Sequence, residues 1–185
     1  VGGAAAAVGR APAARSAGTT FPGTGVFAFG SAASLGSLAG TGVNAPIVGM
    51  AATPSAQGYW LVGADGGVYA FGDARYFGSL GGVALSRPIV GMAATADGGG
   101  YWLVASDGGV FTFGDAPFAG SLGATALSDP IVGMAASPDA KGYWLVGADG
   151  GVFAFGDAGY AGSLGATALS DPIVGIAAAP GGGGY

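Results

Sequence analysis

The stretch GYWLVASDGGVFTFG, residues 100–114, decides the fold. Its first five residues recur from Gly58 and from Gly142, and Gly184-Tyr185 opens the motif again, so the chain repeats every 42 residues without a slip. Between the two apolar runs of the stretch lies Ser106-Asp107-Gly108-Gly109, and Asp65-Gly66 and Asp149-Gly150 hold the same place in the other copies. Asp-Gly between short apolar runs is a hairpin signal, because a tight turn needs positive φ and these residues tolerate it. YWLV is apolar at every position rather than at alternate ones, so its strand must be covered on both faces. Strand alternation then sends Tyr101 and Leu103 toward one neighbouring unit and Trp102 and Val104 toward the other.

Outward from this stretch, the unit starting at Gly100 divides into four short extended runs: YWLVA, GVFTFG, FAGSL and, after ATALSDP, IVGMAAS. Four strands per period of this length is the arithmetic of a propeller blade. The expected fold is all-β, a β-propeller-like array of four-stranded blades on a 42-residue repeat. The alternative is a parallel β-solenoid, whose coils also stack short strands but are usually shorter and are not joined by Asp-Gly hairpins. Pro46, Pro88, Pro130 and Pro172 each stand just before an IVG run, where a first strand residue can lack an N–H. The expected organisation is an Ala/Gly-rich flexible segment at 1–20 followed by the array at 21–185. Within the array, a partial repeat at 21–57 keeps GVFAFG and APIVGMAATP without GYWLV, full repeats occupy 58–99, 100–141 and 142–183, and 184–185 begin another.

Composition narrows the chemistry. There are 42 Gly and 10 Pro in 185 residues, yet 51% of the chain is hydrophobic, 11% aromatic and only 8% charged, which favours a packed fold over disorder. His, Cys and Glu are absent, which excludes Ser-His-Asp and Cys-His catalysis, thiolate zinc sites, disulfides and Glu acid/base pairs. A net charge of −5 and a pI near 4.1 leave no basic footprint for nucleic acid. The mean hydropathy of +0.58 is high, but Pro22, Pro46, Pro54 and many Gly break the uncharged stretch from Ser16 to Ala64, so no transmembrane segment is expected. Residues 1–19 carry two Arg and no acid, and read either as the remnant of a signal-peptide region or as a flexible mature N-terminus.

GYWLVASDGGVFTFGDAPFAGSL, followed by PIVGMAASPDAKGYWLV, resembles a tandem repeat common in secreted and surface proteins of actinobacteria. The resemblance runs from Val26 to Tyr185. It implies a β-propeller-like fold, export to the extracellular space or cell surface, and a non-catalytic accessory role of the kind such arrays play beside cell-wall hydrolases. It brings no ligand and no catalytic residue. The chain departs from the pattern by lacking an attached catalytic domain and by stopping inside a motif at Tyr185, so a C-terminal continuation is expected.

Within a unit, Trp60, Trp102 and Trp144 sit in the all-apolar strand and are expected in the core rather than on a sugar-stacking platform. Tyr76, Phe118 and Tyr160 follow the FGDA turn, vary between copies, and are the candidate ligand contacts. Asp73, Asp115 and Asp157 of FGDA, with Asp65, Asp107 and Asp149 of the Asp-Gly turns, are expected to form turns and cap backbone N–H groups. Asp107 and Asp115 flank one strand and lie roughly 26 Å apart along it, too far to share a cation. No catalytic residue, cofactor or metal site is expected: the Gly-rich runs have no phosphate-loop pattern, and an Asp-only glycosidase dyad would not recur as a turn residue. The function expected is a non-enzymatic structural or interaction module at the cell surface, self-associating, as a filament or open oligomer, or binding another surface protein; the alternative is a carbohydrate- or cell-wall-binding propeller serving a hydrolase.

Overall fold

The computed structural model describes residues 21–22 and 25–185. The flexible segment expected at 1–20 lies outside the described residues. All regular structure among the described residues is β. Three sheets are antiparallel meanders of three strands each: β3 (Ile47–Ala52), β4 (Gly58–Gly63) and β5 (Val68–Gly72); β6 (Ile89–Ala94), β7 (Gly100–Ala105) and β8 (Val110–Gly114); β9 (Ile131–Ala136), β10 (Tyr143–Gly147) and β11 (Val152–Phe155). A short pair, β1 (Phe21–Pro22) with β2 (Gly42–Val43), precedes them.

The GYWLV run is the central strand of every sheet, and it is buried along its whole length in β4, β7 and β10. Its two faces belong to two different cores, as the unbroken apolar pattern demands. Tyr101 and Leu103 pack with Trp60, Val62 and Ile89, whereas Trp102 and Val104 pack with Ile131, Tyr143 and Leu145. Across each junction the Trp ring of one sheet meets the Tyr ring of the next, with centroids 5.7 Å apart for Trp60–Tyr101 and Trp102–Tyr143 and 5.5 Å for Trp144–Tyr185. Such tilted contacts suit the ring quadrupoles.

Consecutive units also meet along their IVG runs, where glycine permits close approach. A Cβ on Gly49 would lie 3.4 Å from the Gly91 Cα, and one on Gly133 would lie 3.4 Å from the Gly175 Cα. A bulge at this point, which shifts the register between Ile47 and Gly49 and again between Ile89 and Gly91, leaves the strand start free to bond outward. Ile89 N–H donates to the Ala64 carbonyl (2.9 Å), Ile131 to Ser106 (2.9 Å) and Ile173 to Ala148 (3.0 Å), so each unit is tied to the one before it. The preceding prolines lose nothing by lacking an N–H, since their carbonyls are the groups in use: Pro46, Pro88 and Pro130 accept from Ala64, Ser106 and Ala148.

Three expected strands are not strands, one of them the last IVG run, whose residues 173–178 lie in no sheet. FAGSL and its equivalents, residues 76–80, 118–122 and 160–164, lie outside the sheets, so each sheet has three strands rather than four. Gly78 and Gly120 hold φ of +127° and +138°, and this backbone folds the run into a wedge between two sheets. On one side Leu80 and Leu122 N–H donate to the carbonyls of Gly66 and Gly108 in their own Asp-Gly turns. On the other, a Cβ at Gly78 would stand 2.8 Å from the Phe113 ring of the next sheet, so only glycine fits. The third departure is 26–30 in the partial repeat, which forms no strand because no GYWLV run precedes it to pair with.

The wedge is held by a phenol. Tyr101 of the second sheet donates its hydroxyl to the Gly78 carbonyl (2.6 Å) and accepts from the Phe77 N–H (3.2 Å). Tyr143 does the same with Gly120 and Ala119, and Tyr185 with Gly162 and Ala161. Burial pushes the Tyr101 and Tyr143 phenols upward in pKa, so the donor proton is retained across the physiological range. Removing only that oxygen, in Tyr101→Phe, strands the Gly78 carbonyl and the Phe77 N–H and is expected to cost about 1–3 kcal/mol. Trp102→Ala is expected to cost more, about 3–5 kcal/mol, through the cavity left between two cores. Urea unfolding of the two variants checks both the sizes and their order.

Candidate functional site

Each candidate contact sits at the start of a wedge, and its backbone is gripped from both sides. The carbonyl immediately before it accepts from the Trp of its own sheet: Arg75 from Trp60 Nε1 (2.7 Å), Pro117 from Trp102 (2.8 Å) and Gly159 from Trp144 (2.8 Å). The N–H immediately after it donates to the Tyr hydroxyl of the next unit, as described above for Phe77, Ala119 and Ala161. With both flanking peptides turned inward, the side chain between them points out. Tyr76, Phe118 and Tyr160 are accordingly 60%, 63% and 64% exposed. The three Trp residues are buried, and their indole N–H groups are satisfied inside the protein.

The chain reaches this position through the FGDA turn, which requires its glycine. Gly72 holds φ of +65°, and a Cβ there would come within 2.1 Å of the Gln57 carbonyl oxygen. The aspartate that follows locks the turn to the neighbouring hairpin: Asp73 accepts from Thr53 Oγ1 (2.9 Å) and Ser55 Oγ (2.5 Å), Asp115 from Thr95 Oγ1 (3.1 Å) and Asp157 from Ser137 Oγ (2.9 Å). These carboxylates are therefore bound by side-chain hydroxyls, not by the backbone N–H groups expected from the sequence. The other set behaves as expected, with Asp65, Asp107 and Asp149 accepting from the N–H two residues on, at Gly67, Gly109 and Gly151.

The hydroxyl partners were invisible in the sequence reading, although a signal exists. Thr53, Thr95 and Ser137 share one repeat position, twenty residues before the FGDA aspartate. Asp97 and Asp139 join the same hydroxyls, at 2.9 Å from Thr95 Oγ1 and 3.0 Å from Ser137 Oγ, and Lys141 pairs with Asp139 at 3.0 Å. Among the described residues no three acidic, imidazole or thiolate groups come together as a metal site.

The electrostatics of this edge are those of stabilised carboxylates. The Ser55 and Thr53 hydroxyls hold Asp73 below the usual carboxylate range, the Gly99 N–H and then the Thr95 hydroxyl do so for Asp97, and chiefly the Lys141 ammonium does so for Asp139. Compared with family models and with curated proteins, the chain matches neither a family nor a curated relative.

The arrangement offers a set of exposed aromatic faces, one per unit, on a backbone that has little freedom to move. Such faces stack on the apolar side of a sugar ring or on a partner's apolar residues. Two outcomes follow from the geometry. Replacing Tyr76, Phe118 and Tyr160 together by Ala is expected to change stability by less than about 0.5 kcal/mol per residue, because exposed side chains contribute little to the fold; a thermal scan against Trp102→Ala checks the contrast. A carboxyl whose folded-state pKa lies below its unfolded value stabilises the fold above that unfolded value and loses the contribution as pH falls through the folded one. The melting temperature should therefore drop between about pH 4 and the acid limit, and Asp73→Asn should flatten part of that drop.

Proposed function

We propose that the chain is a non-enzymatic, exported interaction module that acts at the cell surface, with its units arranged as a β-propeller-like array on the 42-residue repeat. The blade in this reading is the three-stranded meander with the wedge beside it as a fourth element. The meander order and the face-to-face packing of consecutive units support the architecture. The resemblance to secreted actinobacterial repeats supports export. The absence of His, Cys and Glu supports binding over catalysis.

The observation that carries the reading is the contrast among the aromatics. Those of the GYWLV strands are buried and satisfied, while Tyr76, Phe118 and Tyr160, at equivalent places in three units, are left exposed by clamps on both sides. The same row favours a second reading, a carbohydrate- or cell-wall-binding propeller accessory to a hydrolase on another chain or domain.

Labelled protein incubated with bacterial cell walls, before and after the walls are stripped of protein, tests both. The triple Ala variant at Tyr76, Phe118 and Tyr160 is expected to bind at least about tenfold more weakly than the wild type. Binding that survives stripping assigns the contact to glycan, and binding that vanishes assigns it to a surface protein. Equal binding by the triple variant would remove the aromatic row from the function.

A further inference from the structure

We infer that the clefts beside the Asp-Gly turns at Asp107 and Asp149 each bind one unit of a neutral saccharide, at a site separate from the exposed aromatic row. This goes beyond the reading of the chain as an interaction module by assigning a second ligand surface at the other end of the strands.

One cleft, of about 340 Å³, is bounded by Arg87, Ser106, Asp107, Thr125, Ser128 and Asp129. A second, of about 280 Å³, is built from the same repeat positions, each lining residue standing 42 places after its counterpart. The first lies in the interior of the array: its residues serve the β6–β8 sheet, and a three-stranded sheet stands on either side. It takes no lining residue beyond Pro130, and the second takes none beyond Pro172. Both open at the turn end of the strands. β8 runs from the Asp-Gly turn to Gly114, and the wedge that begins at Phe118 returns to that turn, where the Leu122 N–H donates to Gly108. The aromatic row therefore stands at the opposite end.

The walls are pinned by backbone hydrogen bonds. Ser106 N–H donates to the Pro88 carbonyl and the Ser106 carbonyl accepts from Ile131, both at 2.9 Å, which ties the turn to the linkers before and after its sheet. Thr125 N–H donates to the Leu122 carbonyl at 2.7 Å and closes the bend that carries the facing wall. Asp107 accepts the Gly109 N–H on one carboxylate oxygen at 2.9 Å, which leaves the other for the cleft. The second cleft repeats these bonds, with Ala148 to Pro130 at 2.9 Å, Ile173 to Ala148 at 3.0 Å, Thr167 to Leu164 at 2.7 Å and Gly151 to Asp149 at 2.8 Å. A preformed cleft loses less ordering entropy when it is filled.

The polar groups of the first cleft select the ligand. Arg87 supplies guanidinium donors, Asp107 and Asp129 supply acceptors, and the hydroxyls of Ser106, Thr125 and Ser128 can do either. Leu127 and Pro130 add a small apolar surface among them. A ligand that meets donors, acceptors and an apolar patch in so small a volume carries several hydroxyls on a carbon ring. The two carboxylates repel an anion and the guanidinium repels a cation, so that ligand is neutral. Arg87 and Asp129 are exposed and, among the described residues, in no ion pair, so both are open to it. Asp129 lines both clefts, whereas Arg87 serves the first alone.

Amide chemical shifts of the isotope-labelled 185-residue chain, titrated with cellotetraose, with tetra-N-acetylchitotetraose and with glucuronate, test the site. At least one of the two neutral sugars is expected to move the amides of Thr125, Leu127, Ser128 and Asp129, with a Kd of about 1 mM, and glucuronate to move none of them. Arg87→Ala, at an exposed position, should weaken that response at least about fivefold and leave the response at 167–171 unchanged. Asp129→Ala should weaken both. No shift at 125–129 with either neutral sugar, an equal response to glucuronate, or a response indifferent to Arg87→Ala and Asp129→Ala would overturn the proposal. The triple Ala variant at Tyr76, Phe118 and Tyr160 should keep the cleft response in full. Sugar shifts confined to that row would overturn the cleft site and leave the row reading standing, whereas cleft shifts beside cell-wall binding indifferent to the row would do the reverse.

Discussion

The bridging phenol of each GYWLV strand is the constraint on which the rest depends. A hydroxyl carried on a side chain buried between two sheets must find both a donor and an acceptor, and Tyr101 finds them only in the backbone of the preceding wedge. Meeting that requirement fixes where the wedge lies, and the wedge in turn completes the apolar cover of its own sheet through Leu80. The Trp on the opposite face of the same strand repeats the logic in the other direction, holding a carbonyl in its own loop. The exposed row at Tyr76, Phe118 and Tyr160 is thus a by-product of two buried polar groups being satisfied on either side of it.

Charge contributes little to this scaffold. Among the described residues the one ion pair, Lys141 with Asp139, is exposed, and such pairs contribute little. The aspartates act mainly as hydrogen-bond acceptors, closing Asp-Gly turns or tying the FGDA turn to a hydroxyl across the hairpin. Cohesion comes from burial and from neutral hydrogen bonds between units.

Most of the fold was legible because its determinants are local. The unbroken apolar run of YWLV foretold a strand covered on both faces, and Asp107-Gly108 foretold the hairpin that follows it. The wedge was misread as a strand because FAGSL has a strand's composition and length; what bends it is the positive φ of Gly120 and the ring of Phe155 above it, a contact set by the next unit and absent from any local pattern. Residues 26–30 were misread for the complementary reason, having a strand's sequence and no partner strand. At the candidate site, the loop position and the variation among Tyr76, Phe118 and Tyr160 pointed to exposure, but the clamps on either side involve backbone atoms, which sequence does not display. The link from Thr95 to Asp115 was hidden by the distance between them along the chain, although both recur with the repeat.

The uniformity of the junctions bears on how such a chain lengthens and how it goes wrong. The junctions use the same parts, a wedge glycine, a bridging Tyr and a covering ring, at the same spacing, so a stretch of 42 residues can be gained or lost with each remaining junction unchanged, whereas a change of any other size moves a Tyr away from its wedge. Array length is then free to change in whole units, and two arrays that differ by a single unit need not differ in any contact they share. The same interchangeability has a cost during folding, because a GYWLV strand meets several wedges of nearly identical chemistry and can dock on one that is not its neighbour. Small differences between copies, such as Arg75, Pro117 and Gly159 at one shared position, are among the few features that distinguish one wedge from the next.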